Sequence, residues 1–387
     1  MYPHQAERLD GALARLGVHA IVAVSAANVA YVTGFRSLSR ERNPASFAIY
    51  ARTGTALVIP AVDAAAYVAG DVQADHVVCH GRCHVEAAER ADEAARRAAA
   101  LVATAGASPA DALLTALRAL GVADAAIGLD SSPLTEAAAR AVVQRLEAAK
   151  IHPASDALTQ ARLVKGPYEI DCLQQGLRLA EEAIHEVLGE LVAGITERDA
   201  AAVYARALER RGARPSATMI AFGPNTALPA ATPGDRALRA GDFVRFDVGS
   251  VFKGYHAEVA RMAILGDPTA DQEARYDAVE AGVEAALAAI GPASAARAVF
   301  DAATGAVRAA GIPTFRQHHV GHGIGLEAIE PPWLAPDGPA LEAGMVLRAE
   351  IAVYDLGVAG IQVKETVLVT SGGAAVMNRS NRGLVVL

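Results

Sequence analysis

The segment QHHVGHGIGLEAIE, from Gln317 to Glu330, combines residue types that transfer protons or bind metals. It contains three of the eleven histidines, and its glycines let the backbone approach whatever the imidazoles face. His318 and His322 lie four residues apart beside glycines, a setting that packing alone rarely requires. For His319 we expect a backbone or solvent partner. The segment therefore predicts acid–base chemistry or metal ligation at this point of the chain.

Three apolar segments carry charged residues at the spacing of one strand face. They are GDFVRFDVG (241–249), GMVLRAEIAVY (344–354) and GIQVKETVLVT (360–370). Because side chains alternate along a strand, Arg245 shares a face with Asp247. Arg348 shares a face with Glu350 for the same reason. We expect these strands to border one site with the histidine segment.

Two of these strands belong to a longer repeated pattern. LRAGDFVRFD (238–247) and LEAGMVLRAE (341–350) both read L-x-A-G-x-x-x-R-x-acid, and each follows a pair of helical segments. The repeat predicts two related βα halves that face each other across a pseudo-twofold axis. In that arrangement Asp247 and Glu350 are counterparts, and both point into the cleft between the halves.

Together with NVAYVTGF (28–35), these segments resemble the creatinase / aminopeptidase P / prolidase family, the pita-bread hydrolases. The resemblance covers nearly the whole chain. It implies an α/β (α+β) fold in two domains, divided near residues 155 and 156. A small creatinase-type N-terminal α/β domain (1–155) is followed by a pita-bread catalytic domain with duplicated βα halves (156–387). Alternating helices and short strands up to about Ile151 suit the first domain.

The family's metal ligands can be followed into this chain one by one. Metal-containing relatives hold two Mn, Co or Zn ions with Asp, Asp, His, Glu and Glu, and the ions activate a bridging water. The matching positions are Asp247, Glu258, His322, Glu350 and Lys364. Glu258 stands where Asp is usual, and Lys364 stands where a metal-bridging Glu is usual. A charged lysine has three donors and no lone pair, so it cannot bind a metal.

Lys364 therefore predicts that an ammonium group replaces the positive charge of the metals among the carboxylates. Glu365 cannot take the place of the missing ligand, because alternation turns it to the other face. Arg348 and Arg245 either add positive charge to the site or form structural ion pairs lower in the sheet. We expect no metal cofactor in this chain.

Two further differences between this chain and the family pattern concern residues used in catalysis. Family peptidases carry one histidine where Ala230 and Ala231 follow NTALP, and another where Ile329 precedes Glu330. The resemblance assigns these histidines to substrate binding or proton transfer, so ordinary Xaa-Pro peptidase activity is not expected. The expected catalytic residues are those that remain: His322, His318, Glu350, Lys364, Glu258 and Asp247.

The remaining candidates would orient a base or bind substrate. Glu350 should lie close to His318 or His322, where a carboxylate fixes the tautomer and raises the base strength. The candidate substrate-binding residues of the C-terminal domain are Tyr255, His256, Tyr354, Gln362 and Arg348. Tyr255 and His256 are expected as donors at the cleft rim, Tyr354 matches a family tyrosine, and Gln362 stands where relatives often have arginine.

Arg40 and Arg42 lie in a polar loop of the N-terminal domain. In dimeric relatives the corresponding loop enters the partner's site and holds the substrate's carboxylate, a task that suits arginine. The resemblance therefore implies a homodimer in which this loop completes the partner's site. The alternative is a solvated loop.

The leading hypothesis is a metal-independent enzyme acting on a small, charged, amino-acid-like metabolite. Hydrolysis of a C–N bond is expected by analogy with creatinase and ectoine hydrolase, with His322 or His318 as the base. A lyase, cyclase or isomerase fits the same residues. A second hypothesis is a mononuclear metallo-hydrolase of the aminopeptidase or prolidase type, with one divalent transition metal at Glu258, His322 and Glu350. A third is a non-catalytic binding protein, as in relatives that lost their metals.

Composition excludes several other classes. The net charge of −8 comes with no basic stripe, so nucleic acid is not an expected partner. No apolar run reaches membrane-spanning length, and no signal peptide is visible, so we expect a cytoplasmic protein. The three cysteines do not form a disulfide framework. CHGRCH (79–84) fits no standard zinc spacing and is interpreted as a strand followed by a surface loop.

Overall fold

A computed structural model describes residues 2–36, 46–70, 72, 74–146 and 150–387. The chain forms two compact units, Met1–Arg162 and Leu163–Leu387. The sequence placed the boundary seven residues earlier, at the start of a helix that the structure continues to Leu163. Arg40 and Arg42 lie outside the described residues. No helix in the described part of the chain is long and apolar enough to cross a membrane.

The first unit is a mixed sheet with helices. Its helices are α1 (Pro3–Leu16), α2 (Ala26–Thr33), α3 (Ala64–Ala69), α4 (Glu93–Ala103), α5 (Pro109–Ala119), α6 (Glu136–Leu146) and α7 (Ser155–Leu163). Its strands are β1 (Ala20–Ala23), β2 (Phe47–Ala51), β3 (Gly54–Pro60), β4 (His76–His80), β5 (Ile127–Leu129) and β6 (Ile151–Pro153). The strand order is β4-β3-β2-β1-β5-β6.

Local sequence explains most of these elements. Strands β2 and β3 form the hairpin that Thr53-Gly54 predicts, with Ala51 paired to Gly54. Helix α2 follows β1, and the Ser25 hydroxyl caps it by accepting from the Asn28 N–H. In the cysteine–histidine segment, β4 ends at His80, and burial raises the pKa of Cys79 to about 11.

The second unit contains four helices and nine strands among the described residues. The helices are α8 (Pro167–Glu190), α9 (Glu197–Glu209), α10 (Ala270–Ala289) and α11 (Ala296–Ala309). The strands are β7 (Arg214–Phe222), β8 (Phe243–Phe252), β9 (Tyr255–Ile264), β10 (Gly321–Gly323), β11 (Glu330–Trp333), β12 (Val346–Asp355), β13 (Ala359–Thr370), β14 (Gly373–Val376) and β15 (Val385–Val386). Thr196 caps α9 by accepting from the Asp199 N–H, as the sequence predicts.

The sheet of the second unit is organised as two matching hairpins. The main order is β11-β10-β12-β13-β9-β8-β7, so the hairpins β8–β9 and β12–β13 lie side by side. Helix α8 packs on β8 and β9, while α10 packs on β12 and β13. Asp247 pairs with Ala260 in one hairpin, Glu350 pairs with Lys364 in the other, and Lys364 pairs with Ala260 between them. This register agrees with the duplication that the repeated motif predicts.

A buried ion pair holds the turn that follows β10. Lys165 Nζ lies 3.1 Å from Glu330 Oε2, and both side chains are buried. Glu330 Oε1 also accepts from the Glu327 N–H at 3.0 Å. The pair therefore fixes the loop between β10, which carries His322, and β11.

Candidate active site

Four neighbouring strands bring the predicted metal-position residues together. Asp247 lies on β8, Glu258 on β9, Glu350 on β12 and Lys364 on β13. The strand pairing and the alternation of side chains place all four on the same face of the sheet. The adjoining strand β10 adds His322, which pairs with Arg348.

The ammonium group of Lys364 points into the carboxylates. Its Nζ donates to Asp247 Oδ1, and it lies 3.5 Å from Glu258 Oε2 and 4.0 Å from Glu350 Oε2. The side chain is buried, and burial lowers the pKa of Lys364 while Asp247 acts to raise it. One side-chain cation thus lies within ion-pair distance of three acidic residues.

Arg348 forms a second cationic centre in the same cluster. Its Nη1 forms an ion pair with Glu258 Oε2, and its Nη2 donates to Glu350 Oε2 at 2.8 Å. The same Nη2 lies 2.5 Å from His322 Nε2. Glu258 is therefore shared by Arg348 and Lys364. The interpretation of Arg348 as an ion pair remote from the site does not hold.

His322 is held in one tautomer by its neighbours. Its Nδ1 lies 2.7 Å from the Gly323 carbonyl oxygen, which accepts only, so the bonding pattern assigns the proton to Nδ1. Nε2 is then the acceptor for Arg348. Burial lowers the pKa of His322 and favours the neutral ring. The sequence predicts that Glu350 lies close to His318 or His322, and in the structure Arg348 Nη2 bridges His322 Nε2 and Glu350 Oε2.

The other two histidines of the segment have different surroundings. His319 Nδ1 accepts from the Gly321 N–H at 3.2 Å, and burial lowers the pKa of His319 to about 4. His318 is exposed and packs its ring edge-on to His319, with the centroids 4.4 Å apart. Trp333, the only tryptophan, packs against His319 and His322 with centroids 4.9 and 5.2 Å away. We did not anticipate Trp333; its position in PPW just after Glu330 was the available signal.

Glu350 is an ionised carboxylate. Burial acts to raise its pKa, but Lys364 and Arg348 outweigh that effect and lower the pKa to about 2. Gln362 Nε2 donates to Glu350 Oε1 at 3.0 Å. Both oxygens of Glu350 are therefore engaged, which makes the residue an anchor for the cations rather than a strong base.

Arg245 behaves differently from Arg348. It is fully buried and donates through Nη2 to the Leu228 carbonyl at 2.7 Å and to the Pro229 carbonyl at 3.5 Å. Its guanidinium lies 5.2 Å from the ring centroid of Tyr354. It forms no ion pair with any carboxylate of the described residues, so it adds no direct partner to Asp247. Of the two alternatives for Arg245, the structural ion pair is therefore not formed with a described carboxylate, and a contribution of positive charge to the site stays a prediction.

The two residues expected at the rim lie on opposite faces of β9. His256 is half-buried and shares the face of Glu258. Tyr255 lies on the other face and is buried, and its hydroxyl donates to Glu169 Oε1 at 3.2 Å. Tyr255 therefore ties β9 to α8, which corrects the expectation that it lies at the rim.

A dinuclear metal centre does not fit these residues. Among the described residues, no group of three His, Cys, Asp or Glu side chains is arranged to hold a metal ion. Asp247 and Glu258 each have an oxygen paired with Lys364 or Arg348, and His322 Nε2 is bonded to Arg348. A divalent ion would have to displace two side-chain cations from a buried position.

Comparison with protein-family models defines the class to which this fold and site belong. The metallopeptidase family M24 model matches residues 171–371, and the creatinase/prolidase N-terminal domain model matches residues 5–164. The chain belongs to metallopeptidase family M24. The predicted family and fold class, a creatinase-type N-terminal domain followed by a pita-bread domain, are confirmed.

Individual relatives agree with this assignment. The chain is 29% identical to an Xaa-Pro dipeptidase of Pyrococcus furiosus over 59% of this chain and 67% of that protein. It is 33% identical to an uncharacterised peptidase of Staphylococcus saprophyticus over 55% of this chain and 61% of that protein. The matches thus span about two thirds of these relatives. The structure of an X-Pro aminopeptidase from Thermotoga maritima superposes with a TM-score of 0.81 at 22% identity, covering 98% of this chain and 100% of that chain, which shows the shared fold.

Proposed function

We propose that this M24 protein is a metal-independent hydrolase that cleaves a C–N bond in a small, charged, amino-acid-like metabolite. The observation that carries the proposal is the pair of buried cations, Lys364 and Arg348, bonded to the acidic residues that hold metals in relatives. Hydrolytic chemistry is supported by the similarity to an Xaa-Pro dipeptidase. The absence of histidine at Ala230, Ala231 and Ile329 supports a substrate other than an ordinary Xaa-Pro peptide.

In the proposed reaction, His322 acts as the base, and Arg348 and Lys364 assist it. Arg348 moves from His322 Nε2 towards Glu350, and the freed nitrogen takes a proton from water as its oxygen attacks the substrate carbon. In an amide or ureide, Lys364 stabilises the negative charge that develops on the carbonyl oxygen when water attacks. When the C–N bond breaks, His322 returns the proton to the leaving nitrogen. Water is consumed, and His322 ends in its starting protonation state.

The decisive experiment measures metal content and turnover on the same preparation. Purified protein is analysed for transition metals and assayed against amides, ureides and cyclic amidines of amino acids, with Xaa-Pro dipeptides as the comparison class. The proposal expects turnover of one of the first three classes, no stoichiometric metal, and no loss of rate after dialysis against a chelator. Rate lost to the chelator and restored by Mn(II) would overturn metal independence. About one retained ion per chain would favour the mononuclear hypothesis.

The variants Lys364→Met and His322→Gln separate an enzyme from a binding protein. Loss of turnover in both, with the folded state retained, supports catalysis. Unchanged binding of a captured partner with no turnover of any substrate would support the non-catalytic hypothesis.

We also propose that the protein is a homodimer whose Arg40 and Arg42 loop completes the partner's site, as the family resemblance implies. Sedimentation equilibrium tests the assembly. Mixing an Arg42→Ala chain with a His322→Gln chain tests the shared site, because active hybrids form only if the two residues act across the dimer.

A further inference from the structure

Arg245 is a buried cation with unused hydrogen-bond donors. None of its surface is exposed, and Nε and Nη1 have no acceptor among the described residues. These two nitrogens carry three of the five N–H donors of the guanidinium. Nη2 donates to the carbonyls of Leu228 and Pro229, and a side-chain hydrogen bond with Arg245 also acts on the pKa of Tyr354.

Burying these unbonded N–H donors raises the free energy of the folded state unless a bound ligand supplies an acceptor. Arginine stays charged inside proteins, so it cannot escape burial by losing a proton. Unpaired buried donors lose their hydration without replacement. An oxyanion is the ligand that meets this need, and a planar carboxylate can bond to several guanidinium N–H groups at once.

Gln362 is a second buried group on the same sheet face, and it lacks a hydrogen-bond donor where Arg245 lacks an acceptor. Gln362 Oε1 is an acceptor with no donor among the described residues, while its Nε2 is used by Glu350. Tyr354 connects the two regions: burial raises the pKa of its hydroxyl, and Arg245, Asp247 and Glu350 all act on that pKa. A ligand with both a carboxylate and an N–H donor would satisfy Arg245 and Gln362.

Charge balance favours such a ligand over a simple anion. Lys364 and Arg348 form ion pairs with the three carboxylates Asp247, Glu258 and Glu350, and Arg245 adds a third cation on the same sheet face. A bare anion would leave the region with an unbalanced negative charge in a poorly solvated place. A zwitterion would leave the balance unchanged.

The segment covering Arg245 can be displaced without loss of core. Leu228 is 44% exposed, and Pro229 and Ala230 are also exposed. On β12, Tyr354 is half-buried, so this face of the sheet meets solvent near the Arg245 guanidinium. Moving these groups exposes little additional apolar surface.

We propose that Arg245 binds the carboxylate of a zwitterionic substrate, with Tyr354 beside it, and that Gln362 Oε1 accepts from an N–H group of the same molecule. The inference rests on the proposed function and specifies its substrate class: an amino acid derivative with both charges retained. Nothing in the family motifs assigns Arg245 a role in binding.

The test uses three small probes that separate the charges. Glycine is the zwitterion, acetate the anion and methylamine the cation, and binding to the full chain is followed by ligand-observed NMR titration. Arg245→Met should weaken glycine and acetate binding by about 10- to 100-fold and leave methylamine unchanged, as expected for loss of a charge-assisted bond. Gln362→Met should weaken glycine and methylamine instead. Arg239→Met, at an exposed arginine just before β8, is the matched control and should bind all probes as the wild type does.

The other titration results also decide whether Arg245 binds the carboxylate. Wild-type glycine affinity in Arg245→Met overturns the inference, and so does tighter binding of inorganic phosphate than of glycine. If Arg245→Met does not fold, Arg245→Lys keeps the charge but loses the planar donors, and it must bind glycine more weakly than the wild type. Because the titrations need no turnover, failure of the metal-independence test leaves this result standing, and the reverse also holds.

Discussion

Glu258 is the residue on which both cations converge. Its Oε2 forms the ion pair with Arg348 and lies 3.5 Å from Lys364 Nζ. The position usually carries Asp in relatives, and the extra methylene lets the carboxylate reach between two side chains. Glu258 therefore contacts both the lysine at 364 and Arg348.

Shortening this residue tests its bridging role. Glu258→Asp should lower the free energy of unfolding by about 1–3 kcal/mol, because a buried cation loses one of its acidic partners. Urea denaturation of the variant and of Glu209→Asp, an exposed control on α9, measures the difference. Equal stability of the two variants would show that Arg348 and Lys364 do not depend on Glu258.

Removing the cations should restore metal binding stepwise. Lys364→Glu replaces a cation with a ligand and should bind one Mn(II) at least about tenfold more tightly than the wild type, a gain of ~1.4 kcal/mol. Adding Arg348→Ala frees His322 Nε2 and should admit a second ion. The native activity should be lost in both variants. Isothermal titration calorimetry counts the ions, and a wild type that already binds two with equal affinity contradicts the prediction.

Side-chain alternation along β13 places the neighbouring residues Lys364 and Glu365 in two separate ion-pair clusters, one on each face of the sheet. Lys364 faces the carboxylates, whereas Glu365 faces the other side and lies 2.9 Å from Arg261 Nη2. Arg261 also donates to the Lys364 carbonyl and to Ser380, which is itself bonded to Glu181. The C-terminal segment is thereby fixed to the strand that carries the site lysine.

Glu365 should make stability depend on pH. Burial raises its pKa to about 7 although Arg261 acts to lower it, so the folded state binds more protons than the unfolded state between about pH 4.5 and 7. Its contribution to stability therefore falls as the pH rises through that window, by at most ~1.4 kcal/mol per pH unit.

The variant Glu365→Gln isolates this effect. It keeps an acceptor for Arg261 and should gain stability relative to the wild type as the pH is raised from 5 to 8. Glu342→Gln, at an exposed position, is the control. The difference between variant and wild type cancels the opposite trend expected from His319, whose pKa is lowered. A difference that stays constant with pH would contradict the assignment.

The family resemblance carried most of the site prediction. It implied that Lys364 lies with Asp247 and Glu350, and two-residue alternation added that Arg348 shares a strand face with Glu350. It could not show that Arg348 bonds to His322, since that contact joins residues 26 positions apart through side-chain conformation.

At the scale of the whole molecule, each unit has its own apolar core. One core joins residues of β1, β2, β3, α5 and β5, and the other joins α10 and α11 with β12 and β13. The duplicated hairpins, both helix pairs and every residue of the cation cluster belong to the second unit. The family resemblance anticipated this organisation because its motifs lie on both halves of the repeat.

The second unit should therefore fold alone. A fragment of residues 164–387 retains the Val164–Met345 bridge and the Lys165–Glu330 ion pair, and it should unfold in one cooperative thermal transition. A fragment of residues 191–387 lacks α8, which covers β8 and β9, and should not. Circular dichroism melting compares the two. Absence of a transition in the longer fragment would show that the first unit is required.

The cations of this cleft are covalent parts of the chain. Their number is set at translation, so neither a chelating agent nor a shortage of manganese, cobalt or zinc can change it. On the proposed metal-independent function, a metal-chelating inhibitor such as a hydroxamate should meet the ammonium of Lys364 and the guanidinium of Arg348 in place of ions, and it should not inhibit turnover.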